Sequence, residues 1–185
     1  MLQALFYTEL VDQANRTGIK VVAHQQDSDD TARLVKAGVA GFLHGRFEDE
    51  LGEGLSRSLA ESNTFVIPNL GLSLLRRMTI AEDPLLIETL PSATLSRLGS
   101  RVFAKTEKTM PASNSNDLMR WQLDQLISNL DSSIKRSFGS AIAHGVPILL
   151  GTDAGALPDH FFGYTGHKEL EIFVALGMTP EQAIG

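Results

Sequence analysis

Pro147-Ile148-Leu149-Leu150-Gly151-Thr152-Asp153-Ala154-Gly155 is the stretch on which the reading of this chain turns. A short apolar run bounded by glycine reads as a strand buried on both faces. Such a strand carries Asp153 at its C-terminal tip, the end where α/β folds place ligands and chemistry. Two other runs end alike, each with a histidine: Ile19-Lys20-Val21-Val22-Ala23-His24 and Val39-Ala40-Gly41-Phe42-Leu43-His44. Neutral imidazole and carboxylate suit zinc and similar divalent ions. His24, His44 and Asp153 are therefore candidate metal ligands, with Asp153 also a candidate acceptor for a proton of metal-activated water.

Outward from these tips, the chain alternates. Leu2, Leu5, Phe6 and Leu10 recur at helical spacing, which predicts an amphipathic helix to about Arg16, stopped by Gly18. The His24 strand follows. Asp27, Asp29 and Asp30 look like metal bait, but acids at that place solvate a helix start, and Gly38 stops the helix. The His44 strand comes next, then a helix to about Ser62, then a strand Thr64-Phe65-Val66-Ile67-Pro68-Asn69. Helix–strand alternation of this kind predicts a parallel sheet. Between Gly71 and Asn116 the pattern breaks; Leu72 to Met78 and Leu85 to Leu90 read as short helices of an inserted excursion that could cover the site. A long helix is expected from Asp117 through Ile142, with Trp121 and its apolar neighbours in the core. Another is expected over 168–176, and Thr179-Pro180-Glu181 opens a last one. That last helix has only a turn left, and four βα-type strands are half of an eight-stranded barrel, which needs about 250 residues. The expectation is a single, partial domain over 1–185.

Composition bounds the function. The 185 residues carry a net charge of −6 and no basic cluster, against nucleic-acid binding. No cysteine is present, which excludes disulfides and Cys-held zinc. The N-terminus lacks the basic lead of a signal peptide, and no apolar run is long enough to span a membrane. The compartment stays unassigned, with the cytoplasm favoured. HExxH, Gly-x-Ser-x-Gly and phosphate-loop motifs do not occur.

Val21-Val22-Ala23-His24, Ala37-Gly38-Val39 leading to His44-Gly45, and Gly145-Val146-Pro147 through Asp153-Ala154-Gly155 together resemble a known family. So does the tail, His167-Lys168-Glu169-Leu170-Glu171 with Leu176-Gly177-Met178-Thr179-Pro180-Glu181-Gln182-Ala183. The order and spacing of these pieces resemble the amidohydrolase superfamily of metal-dependent hydrolases, nearest its imidazolonepropionase-like and prolidase-like members. The resemblance implies an α/β fold: a partial TIM (β/α)8 barrel, strands five to eight, with a helical insertion between the seventh and eighth. It implies His24 and His44 as ligands of a second metal, and Asp153 as a ligand of the first and the general base. The implied reaction is hydrolysis of a C–N bond in an amide, cyclic amide or dipeptide, with one or two zinc ions. The family's His-x-His and bridging lysine have no counterpart here. The expectation is then weak metal binding and no activity by this chain alone. Expected partners are a small amide or peptide-like substrate and either a second copy or a missing N-terminal half.

Read singly, these residues have plainer uses. Asp153 could cap the turn after its strand through its own side chain. His144 suits a helix C-terminus. His160 reads as loop surface and His167 as a helix cap. Asn69 and Arg46, just past strand tips, are lesser candidates for substrate contact. A doubly wound α/β domain with an unrelated ligand is the third reading, and it requires an open, flat sheet.

Overall fold

The computed structural model describes residues 2–24, 27–44, 51–75, 78, 80–99, 115–128, 132–157 and 159–185. Its elements in order begin with α1 (Leu2–Arg16), β1 (Val22–His24), α2 (Ser28–Ala37), β2 (Gly41–Leu43), α3 (Glu53–Glu61) and β3 (Phe65–Ile67). There follow α4 (Gly71–Leu74), a 3-10 turn (Ile80–Glu82), α5 (Pro84–Thr89), α6 (Ser92–Gly99), α7 (Ser115–Ser128), α8 (Ser132–His144), α9 (Tyr164–Ala175) and α10 (Pro180–Ile184). The chain divides into two compact units where the sequence reading treats it as one domain. The first is Met1–Asn69 with Asp131–Gly151; the second is Leu70–Leu130 with Thr152–Gly185.

The first unit is a parallel α/β layer. Its three strands lie in the order β1-β2-β3, all parallel, with Val22 opposite Gly41 and Gly41 opposite Phe65. Gly41 has to be glycine, because a methyl group there would overlap the Phe65 ring on the next strand. Four strands are expected and, among the described residues, three form. The run from Pro147 makes one parallel bridge, Val66 to Ile148, through Val66 N to Pro147 O and Leu149 N to Val66 O, both 2.9 Å. Nor is that run buried on both faces: Leu149 and Leu150 are exposed. It lies outside β3, where among the described residues no further strand pairs with it. The centre of the sheet does meet the expectation: Phe42 and Val66 are fully buried, and Val35, Val39, Leu59 and Phe138 of the same unit are buried too.

Local sequence explains the helices. α2 starts where Asp27 accepts the Asp30 N–H (2.7 Å) and stops at Gly38, whose φ of 87° few other residues adopt. α1 ends before Gly18, also at positive φ, but Phe6 and Leu10 on its expected apolar stripe are exposed while Val11 is buried. α8 packs on α3 through small side chains: Ser140 Oγ donates to Ser56 Oγ (2.9 Å), and Leu51 N donates to Ser137 Oγ (3.0 Å).

The second unit is helical. Its core holds Leu74, Leu75, Ile80, Leu86, Leu123, Ile172 and Phe173. The predicted excursion is present as α4, the 3-10 turn, α5 and α6, with residues 100–114 outside the described residues. Pro84 is the first residue of α5, behind an Asp83 cap. The single long helix expected from Asp117 to Ile142 is two helices, α7 and α8. Asn129, Asp131, Ser132 and Ser133 between and at their ends are residues that favour caps over helix interiors. α9 begins four residues before its predicted start, at Tyr164 behind Gly163. α10 opens as expected, with a full capping box between Thr179 and Gln182.

Candidate functional site

His24 ends β1 and His44 follows β2, so the two parallel neighbours deliver their imidazoles side by side. The ring centroids are 4.7 Å apart and the planes are inclined by 33°. His24 is exposed and His44 half-buried. The backbone of His44 is left-handed, φ 52°, a region that histidine, asparagine and aspartate enter more readily than most residues. Asn69, two residues past β3 and also at φ 52°, is buried, and its Oδ1 accepts the His44 N–H (3.3 Å). Asn69, a lesser candidate for substrate contact, holds the neighbouring tip through this bond.

Could the two histidines hold a metal? An ion held by imidazole lies about 2.0–2.1 Å from the ligating nitrogen. Rings whose centres are 4.7 Å apart are close enough for a nitrogen of each to reach one ion. Among the described residues, no group of three His, Cys, Asp or Glu side chains is placed to hold a metal ion. Asp153 belongs to the second unit and is exposed, with φ 51°. Ala154 N donates to Thr152 Oγ1 (3.1 Å) in the turn around it. A groove of about 550 Å³ reaches His24 along β1, lined by Tyr7, Leu10, Val22, Asp30 and Arg33.

The remaining predicted residues sort by burial. His144 is structural: Nδ1 donates to Ser140 O (2.9 Å) inside α8. His160 is not loop surface but buried, at 3% exposure. His167 is exposed on α9, three residues past the helix start. Arg46 lies outside the described residues.

Sequence reading missed a set of buried charges in the second unit. Asp83 accepts from Lys168 Nζ (3.2 Å), the Tyr164 hydroxyl (3.1 Å) and Leu85 N (3.0 Å). Lys168 also binds both oxygens of Glu171 at 3.0 Å. Burial, and then the Asp83 carboxylate, push the Tyr164 hydroxyl far above its ordinary range, so it stays a donor. Glu169 is fully buried and accepts from Leu70 N (2.7 Å) and Gly71 N (2.6 Å). A signal was present: Glu169 shares a helical face with Thr165, Ile172 and Phe173, so an acid sits in a stripe facing the core.

These elements define an α/β protein with parallel strands in sequential order. Among solved proteins, a Xaa-Pro dipeptidase with methionine bound in its active site has a similar fold, at a TM-score of 0.52 and 23% identity. The likeness covers 96% of this chain and 35% of that one, so the chain spans about a third of the dipeptidase's length. No protein-family model matches the chain, and no curated protein matches it significantly.

Proposed function

We propose that this chain is part of a metal-dependent hydrolase acting on C–N bonds, and that it carries strands five to eight of a (β/α)8 barrel. The observation that carries the reading is the pair His24 and His44, rings 4.7 Å apart at the tips of adjacent parallel strands. The fold-level likeness to a Xaa-Pro dipeptidase supports the same class and favours a peptide or amide bond as the substrate. His24 and His44 would hold a divalent ion, zinc by ligand type. Bound there, the ion would act as a Lewis acid and make water a usable nucleophile near neutral pH. Asp153 would keep the role that the family resemblance implies for it, taking the water's proton and returning it to the leaving nitrogen.

Hydrolysis by the full-length polypeptide loaded with zinc tests this, on a panel of dipeptides, N-acyl amino acids and cyclic amides. Asp153→Asn should lower kcat by about 10²–10⁴-fold, the span of general acid–base catalysis. An Asp153→Asn enzyme of unchanged kcat contradicts the role.

A second reading, a non-catalytic half-barrel completed by another chain, is favoured by one feature of the first unit. Among the described residues its sheet ends at β1 on one side and at Pro147–Leu149 on the other, and Val22, Leu149 and Leu150 are exposed at these edges. Unpaired edges with apolar side chains are templates for pairing. Light scattering after size exclusion distinguishes the two: this reading requires an assembly larger than one chain.

A further inference from the structure

Glu169 has no part in the proposed chemistry, and its surroundings give it another role. It sits in the middle of α9 with no exposed surface, on the face of Thr165, Ile172 and Phe173, all buried. A carboxyl group placed there without partners would be costly. Its two oxygens are instead divided between successive backbone N–H groups: Leu70 N on Oε1 and Gly71 N on Oε2. Those donors open α4, where the first N–H groups of a helix have no acceptor within the helix. No side chain of α4's own start caps them. Glu169 thus supplies the cap from almost a hundred residues away. Gly71 leaves room for it, since a Cβ there would lie 3.0 Å from Oε2.

We propose that Glu169 is a proton-operated latch: ionised, it ties the Leu70–Gly71 turn to α9, and protonated, it lets that turn loosen. The chemistry is one of acceptor count. A carboxylate accepts at both oxygens, and hydrogen bonds to an ion are about twice as strong as neutral ones. A neutral acid carries a hydroxyl on one oxygen, which turns a proton toward an N–H that needs an acceptor. Burial raises the Glu169 pKa to about 7, against the lowering by the Gly71 and Leu70 N–H groups, so both forms are populated near neutrality.

Among the described residues, no other charge is paired with Glu169. The described residues of α4 carry no ionisable side chain. On α9, Lys168 is turned to Asp83 and Glu171, while His167 and Glu171 are exposed. From α7, Asp117, Arg120 and Asp124 are exposed, as is Glu181 of α10. The mooring of Asp83 on Lys168 and Tyr164 holds the start of α5 to the same helix. Release is therefore confined to the short stretch from Leu70 to Leu75.

The test is a ¹H–¹⁵N titration of the Leu70 and Gly71 amides, with the Glu169 side-chain carboxyl ¹³C followed in parallel. In the wild type both amides should move downfield together as pH rises, with the carboxyl's own midpoint, between about 6 and 8. In Glu169→Gln both shifts should be flat over that range. Amides that do not titrate, a carboxyl midpoint near that of an exposed glutamate, or the same titration in Glu169→Gln each overturns the latch. If Glu169→Gln does not fold, the wild-type carboxyl and amide midpoints decide: coincidence supports the latch, and divergence overturns it.

Discussion

The strand tips of the first unit and the α9 face of the second place polar side chains in opposite surroundings. At the tips, His24 is exposed and His44 half-buried, with ring centroids 4.7 Å apart. On α9, Lys168 and Glu169 are buried and spent on partners from their own unit, Asp83 and the Leu70–Gly71 amides. The difference separates two duties of polar side chains. Ligand-binding groups have to stay available, whereas buried ones have to be matched, because an unmatched one is costly.

Breaking one partner on α9 should give the largest effect. Lys168→Met leaves the Asp83 carboxylate buried with its cation gone and should cost about 3–5 kcal/mol in urea unfolding. Asp83→Leu together with Lys168→Met should recover much of that loss, since the double change removes the orphaned charge. If the single and double variants are equally destabilised, the pair is not matched in the way described.

Acid and base should separate the regions next. Glu169 has an ordinary value of 4.5 and is raised to about 7 in the fold. Between these values the folded chain keeps a proton that the unfolded chain has released, so folding binds protons there. The stability Glu169 contributes is therefore complete below about 4.5 and falls as pH rises to about 7, then stays level. The total is roughly 3 kcal/mol by linkage. Glu169→Gln should remove that decline from the stability–pH curve. The ionised latch is thus the better hydrogen-bonding form and the less stable fold, because burying its charge outweighs the two bonds.

Smaller effects belong to the tips. Asn69→Ala removes the acceptor of the His44 N–H and puts alanine at φ 52°, for about 1–2 kcal/mol. Asn69→Gly keeps the backbone and loses only the bond, so it should cost less in the same unfolding measurement. His24→Ala, at an exposed position, should change stability by no more than about 0.5 kcal/mol without metal.

How much of this was legible follows from the same contrast. Apolar runs and glycine stops marked the strands at 22–24, 41–43 and 65–67; burial on both faces holds for β2, where Gly41 and Phe42 are buried, and not for β1, where Val22 is exposed. The same rule failed at Leu149 and Leu150, where an apolar run lies at the sheet's rim and is exposed. The Asp27 cap and Gly38 stop are local chemistry and were readable. The α7–α8 break was not, since apolar spacing runs on through Ile127 and Ile134 and hides a change of unit. The histidines stood out because each ends an apolar run. Asp83, Lys168 and Glu169 did not, because their partners lie 81 to 99 residues away. His160 was misjudged for a related reason: loop residues are usually on the surface, and this one is packed inside.

Zinc titration by calorimetry probes the paired imidazoles most directly. Wild-type chain should give a saturable heat, weaker than that of a complete site, and His24→Ala/His44→Ala should give none. Identical heats from the two proteins would remove both histidines from any metal site and leave the hydrolase proposal without its supporting observation.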